Sequence, residues 1–354
     1  MNMMPQVKAF AINGDAVHCK NFGNGHINET LKISTDTGCT YILQRINHYV
    51  FKEPIKVMEN ISRVTNYLLE QTGDPTAALH FVPTHDGSFC HRDEDGNYWR
   101  MYEFVEGFCL EFADSAEDFY ESGVAFGQFQ QQLLNFPADT LHETIPNFHN
   151  TVDRFNQLKA SIAADSQGRA AEVQKEIEFA LAHEEVGGTL QRMLEDGKLP
   201  LRVTHNDTKL NNVLLHPKTR KPLCVLDLDT VMPGLSAHDF GDSIRFGAAT
   251  AAEDEQDVSK MKLNLEYYEA YSKGFIESAT ALTDAEIDAL PYGALIMTLE
   301  VGIRFLKDYL DGDVYFKTAY EDHNLVRCRT QFALVADMEA KWAEMQAVIQ
   351  RLKA

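Results

Sequence analysis

Residues 203–212 read VTHNDTKLNN, and residues 225–229 read VLDLD. The first stretch spaces His205, Asp207 and Asn212 as H-x-D-x-x-x-x-N, and Asp227 follows Asp207 by twenty positions. Each piece closes a short apolar run: residues 201–204 and 223–228 read as strands that break into Asp and Asn. Such endings are odd as core, because a buried carboxylate needs a partner or a metal. The arrangement offers one Asp beside a nucleophilic hydroxyl, plus an Asn and a second Asp for Mg2+. Those are the parts of a phosphoryl-transfer site of the kinase type.

Asp207 is the expected catalytic residue. A kinase base need not be strong, because the phosphoryl transition state is loose; it must hold the acceptor oxygen in line with the transferred group. Asn212 offers a neutral oxygen to Mg2+, a hard cation, and its five-residue step from Asp207 favours it over Asn211. Asp227 supplies the anionic metal ligand. Asp229, two residues on, reads as a supporting or substrate residue. His205 reads as a loop support, and Lys209 as a phosphate contact or a solvated lysine.

The segments HNDTKLNN, VLDLDTVMPG, HDFGDSIRFG and GIRFLKDYLDGDVYFK together resemble the N-acetylhexosamine 1-kinases, within the aminoglycoside phosphotransferase/choline kinase superfamily of protein-kinase-like enzymes. The first two segments carry the superfamily pattern and the last two the hexosamine branch. The resemblance runs from about residue 23 to about residue 330. It implies an α+β, bilobal protein-kinase-like fold: a small β-rich N-terminal lobe over residues 1–104 and a larger, mostly helical lobe over 105–354. It implies ATP and Mg2+ as cofactors and the anomeric C1 hydroxyl of GlcNAc or GalNAc as acceptor. The same fold with another small alcohol, such as an aminoglycoside or choline, is the alternative. Nucleotide binding without turnover and metal-dependent hydrolysis by His205, Asp207 and Asp227 are the more distant rivals.

Composition agrees with an enzyme of this size. The chain has 354 residues, 44% hydrophobic and 24% charged, ordinary for a soluble globular protein long enough for two lobes. A net charge of −21 disfavours nucleic acid as a partner. It leaves room for ATP, whose phosphates Mg2+ and local cations neutralise. Six cysteines lie without metal-ligand spacing and read as reduced thiols. No apolar run reads as a membrane span and the N-terminus lacks a secretory pattern. The expectation is a cytoplasmic monomer acting on a small-molecule sugar, with neither nucleic acid nor membrane as partner.

The N-terminal third reads as strands over residues 16–22, 29–34, 40–46, 80–83, 89–91 and 99–104, with a helix over 54–72 that starts on Pro54 and stops at Gly73. The glycines of Gly23-x-Gly25-x-x-Asn28 would let backbone N–H groups approach phosphate, with Asn28 where a third glycine would fall. A kinase lobe also needs a strand cation paired with a helix glutamate. Arg45 is the only cation in residues 41–46, and Glu59 lies on the next helix; arginine would hold phosphate as a fork. The backbone of residues Glu103 to Val105 is the expected adenine contact, with a hinge at Glu106-Gly107. Helices are expected over 119–134, 169–182, 260–277, 284–308 and 325–351. His26, Asp239, Arg245, Arg304 and Tyr315 are the expected acceptor-binding residues, because sugars are recognised through hydroxyl hydrogen bonds and an aromatic platform.

Overall fold

A computed structural model describes residues 5–22 and 28–353. Contacts divide the chain into two compact units. The first comprises Met1–Cys109, Gln132–Pro146 and Val213–Pro233; the second comprises Leu110–Gln131, Asn147–Asn212 and Gly234–Ala354.

The first unit is built on a five-stranded sheet: β1 (Ala16–Asn21), β2 (Glu29–Thr35), β3 (Thr40–Ile46), β4 (His91–Arg92) and β5 (Tyr98–Glu103), in the order β1-β2-β3-β5-β4. Every neighbouring pair is antiparallel. Alternation in β2 and β3 sends Leu31, Ile33, Tyr41 and Leu43 to one core with Trp99 and Met101. Helix α1 (Pro54–Thr72) follows, opened by Pro54 and closed by Gly73 in the left-handed conformation. Residues 80–83 form no strand; a single bridge pairs Phe81 with Tyr102.

The second unit is helical: α2 (Ala116–Gln132), α3 (Thr151–Ala164), α4 (Gln174–Ala182), the short α5 (Glu184–Gly187) and α6 (Thr189–Glu195), then, after the strand described next, five longer helices. Strand β6 (Arg202–Thr204) belongs to this unit, whereas the paired strands β7 (Val213–Leu215) and β8 (Pro222–Val225) belong to the first. The remaining helices are α7 (Ser236–Gly247), α8 (Leu265–Ser278), α9 (Asp284–Asp311), α10 (His323–Ala340) and α11 (Trp342–Lys353). Residues 325–351, expected as one helix, break at Lys341.

Helix α9 is the spine of this unit, with α3, α7, α10 and α11 packed on it. Its start is a capping box between Thr283 and Glu286. By length and composition it could cross a membrane, against the expectation that no run does so, yet 89% of its apolar window is buried inside the protein. Helices α7 and α9 meet backbone to backbone: a Cβ on Gly241 would lie 2.1 Å from the Gly293 carbonyl oxygen. That contact seats α7 where its carboxylates reach the loop after β6.

Candidate active site

The loop after β6 carries His205, Asn206, Asp207 and Thr208, and it is held almost entirely from α7. Asp239 is fully buried and accepts the backbone N–H of His205 at 2.9 Å and of Asn206 at 2.8 Å. Gln130 of α2 donates to the same carboxylate at 2.7 Å. Asp242 accepts the N–H of Thr208 at 3.0 Å, and Ser243 donates to the Thr208 carbonyl at 2.7 Å. Asn206 takes a left-handed backbone, φ 63°. A loop that turns this sharply leaves N–H groups with no strand partner, and the two α7 carboxylates supply the acceptors.

Asp207 is what this scaffold presents. Its side chain remains 28% exposed, and Lys209 Nζ lies 2.8 Å from Oδ1. Burial pushes the Asp207 carboxyl up, but Lys209 first, then His205 and Arg245, outweigh it, and the net direction is down. Asn212 Nδ2 donates to the Asp207 carbonyl at 2.8 Å, so its Oδ1 is the end left for another ligand. The His205 ring is packed edge-on against Phe126 and Phe129, and its Nδ1 accepts the Asp207 N–H at 3.3 Å. His205 therefore supports the loop.

A second polar group in this unit reaches the same loop. His149 faces Glu300 of α9 through Nδ1 at 2.9 Å and the Asn206 carbonyl through Nε2 at 3.4 Å. Thr151 donates to the other Glu300 oxygen at 2.6 Å. One turn along α9, the Arg304 guanidinium lies 5.5 Å from the ring centre of Phe148, 5.8 Å from Tyr315 and 5.4 Å from Phe316. Asp308 accepts the N–H groups of Val314, Tyr315 and Phe316 and so fixes that loop.

In the first unit, Asp227 ends the β8 segment in a left-handed conformation, φ 56°. Residues 103–108 run beside β7, with Phe108 and Leu215 exchanging N–H to carbonyl bonds of 3.1 and 2.8 Å. Val105 packs on an apolar cluster of Leu79, Leu214 and Cys224, joined by Phe81, Tyr102 and Leu226. The Glu103 N–H goes to the His80 carbonyl at 2.9 Å.

Several expectations change against this geometry. Gly23, Gly25 and His26 lie outside the described residues. Asp239 and Arg245, expected at the acceptor, are buried and engaged by the protein: Asp239 accepts loop N–H groups, and Arg245 is paired with Asp242 at 3.0 Å and Glu253 at 2.7 Å. Arg45 and Glu59 do not pair. Arg45 bridges Glu29 on the neighbouring strand at 3.1 Å, and Glu59 meets His142 at 2.6 Å. The buried strand cation is Arg100 on β5, bound to Asp229. His149, Glu300 and Phe148 were not singled out from sequence. A Glu four residues before Arg304 in an apolar helix was the available signal.

Residues 18–273 match the family model described as a phosphotransferase enzyme family. The chain belongs to that family. Solved structures share the fold of this phosphotransferase at 14% identity. The microcompartment-associated aminopropanol kinase covers 96% of each chain with a TM-score of 0.64. An aminoglycoside phosphotransferase from Alicyclobacillus acidocaldarius covers 100% of this chain and 97% of its own, also at 0.64. An amicoumacin kinase in complex with AMP-PNP, Ca2+ and Ami covers 93% and 91%, at 0.61. The phosphotransferase is thus α+β and kinase-like, with its sheet in the N-terminal part and most helices in the C-terminal part.

The electrostatics beneath the loop of this phosphotransferase set an acid limit on its stability. Burial, then His149, push His238 down to about 3. Burial pushes Glu300 up, but His149, Arg154 and Arg304 outweigh it and hold it near 2. Both folded values lie below the ordinary ones, so the unfolded chain binds more protons in acid. The His238 contribution is complete above pH 6.5 and falls toward about 3; that of Glu300 is complete above 4.5 and falls toward about 2. Tm should drop as pH falls below 6.5, and His238→Gln should flatten the upper part of that drop. Calorimetric scans of both proteins across this range check it; parallel slopes would contradict it.

Proposed function

We propose that this phosphotransferase is an ATP- and Mg2+-dependent sugar kinase that places phosphate on the anomeric C1 hydroxyl of an N-acetylhexosamine. The observation that carries the acceptor class is the group around Arg304. Its guanidinium is flanked by Phe148, Tyr315 and Phe316, and its N–H donors are engaged by no described residue. The nearby carboxylate, Glu300, is already taken by His149 and Thr151. A cationic amino alcohol would need open carboxylates there. An uncharged sugar fits a cationic fork that donates to hydroxyl or carbonyl oxygens, beside aromatic faces.

Asn212 and Asp227 offer an amide and a carboxylate oxygen, the hard donors that Mg2+ takes alongside phosphate and water. An amicoumacin kinase of the same fold holds AMP-PNP and Ca2+. Bound with ATP, the metal would neutralise charge on the phosphate oxygens. The chain's own contribution is orientation. Asp207 accepts a hydrogen bond from the acceptor hydroxyl, aligns its oxygen and receives the proton late in transfer. The downward shift of Asp207 makes it a weak base, which suffices because an anomeric hydroxyl is more acidic than an ordinary alcohol. Lys209 keeps Asp207 charged and oriented.

A methyl glycoside of the acceptor tests the position of transfer. Blocked at C1 but otherwise intact, it should bind with affinity near that of the free sugar and give no phosphorylated product. Phosphorylation of the glycoside would move the reaction to C6 or another hydroxyl.

A further inference from the structure

Arg100 lies in the middle of β5 and is only 3% exposed. An unpaired guanidinium in that place would be strongly destabilising, so its partners are informative. Its two terminal nitrogens meet both oxygens of Asp229, with Nη2 to Oδ2 at 3.1 Å. Its Nε donates to Gln44 Oε1 on β3 at 2.9 Å, and Nη1 lies 3.9 Å from Met58 Sδ on α1. Burial works against the Arg100 charge, but the Asp229 carboxylate outweighs it.

The same carboxylate has a second partner. Asn28 Nδ2 donates to Asp229 Oδ2 at 2.9 Å, and Asn28 Oδ1 accepts the Asn47 N–H at 3.0 Å. Asp229 thus joins four pieces of the first unit: β5, β3 through Gln44, α1 beside Met58, and the residue that follows positions 23–27. It does so two residues after Asp227, in the middle of the one-turn 3-10 segment Leu228–Thr230. Both Asp229 oxygens are thus engaged within the first unit. Meanwhile the cation and the glutamate expected to link sheet to helix, Arg45 and Glu59, face Glu29 and His142 instead.

We propose that the Arg100–Asp229–Asn28 bridge replaces the strand-cation/helix-glutamate clamp and positions Asp227 for a metal-bound triphosphate. All three are positioning residues. The proposal rests on the reading that this chain binds Mg2+–ATP. It gives a reason for an asparagine at position 28: a side-chain amide there reaches Asp229. It also explains why the cation is arginine, since a lysine could not bond both carboxylate oxygens and Gln44 in one plane.

The test separates phosphate positioning from general stability. Titrate wild type, Asn28→Ala and Arg100→Lys calorimetrically, without acceptor, with Mg2+–ATP and with adenosine. The bridge predicts that both variants bind Mg2+–ATP about tenfold more weakly, as expected when a metal ligand loses the partner behind it. Adenosine affinity should stay within about twofold, because adenosine has no phosphate or metal to position. Asn28→Ala removes only a part-exposed amide and decides the matter if Arg100→Lys does not fold. Variants that bind Mg2+–ATP as wild type does, or that lose adenosine in parallel, overturn the bridge. A wild type that binds neither ligand overturns the nucleotide reading beneath it.

Discussion

Replacing Asp207 with asparagine should abolish turnover and leave nucleotide binding nearly intact. The substitution keeps the shape of the side chain and removes the oxygen that, in the proposed function, orients the acceptor hydroxyl and takes its proton. The expected loss is at the upper end of the roughly 10²–10⁴-fold that follows removal of an acid–base group. Folding should survive, because the loop is held through its backbone by Asp239, Asp242 and Ser243, none of which depends on the Asp207 carboxylate. Lys209 loses its counter-charge, a change confined to a pair about a third exposed. Steady-state kinetics with calorimetric ATP binding decides it. A rate within a few-fold of wild type would remove Asp207 from its central role.

The second large effect is unequal damage to the metal site. In the proposed function Asp227→Ala removes an anionic metal ligand, whereas Asn212→Ala removes a neutral dipole. The loss for Asp227→Ala should therefore be larger and less recoverable, and raised Mg2+ should restore Asn212→Ala further. Asn212→Ala carries one added consequence: it deletes the amide that donates to the Asp207 carbonyl at 2.8 Å, so a part of its defect should persist at saturating metal. Mg2+ titrations of kcat for both variants read this directly. The opposite ordering would mean that the two ligand roles are exchanged.

The sequence was most legible where local signals were strong. The strand over 40–46 and the helix over 54–72 appear with the expected ends, because alternation, Pro54 and Gly73 each state their geometry locally. Asp207 and Asp227 lie just beyond short strands near the expected runs at 201–204 and 223–228, the second strand ending early at Val225, while Asn212 immediately precedes β7. Helix α7 was not legible. Its SAHDFGDSIRFG carries two glycines and three charges, which reads as loop; those charges are buried because they hold a neighbouring loop and each other. For the same reason Asp239 and Arg245 looked like ligands. Type and spacing show that a residue is polar, not which way it faces.

The buried strand cation was hidden for a different reason. Arg45 is the only cation of β3, while the buried guanidinium lies one strand over at Arg100. Nothing in YWRMYE distinguishes an arginine facing a carboxylate from one facing water. The partner, Asp229, is 129 residues away in sequence. Long-range pairing of this kind is set by tertiary structure alone. Asn28 was visible as a departure from a glycine pattern, and its reason emerged only with Asp229 beside it.

The most direct measurement is the identity of the product. The protein should be incubated with Mg2+–ATP and a mixed panel of N-acetylhexosamines, other sugars and amino alcohols, and the phosphorylated species identified by mass and phosphorus NMR. The account predicts one class of product, an N-acetylhexosamine carrying phosphate at C1. Its phosphorus should couple to the anomeric proton, and the ester should be acid-labile, because departure of phosphate leaves an oxocarbenium ion stabilised by the ring oxygen. An acid-stable ester, or phosphate on an amino alcohol, would contradict it.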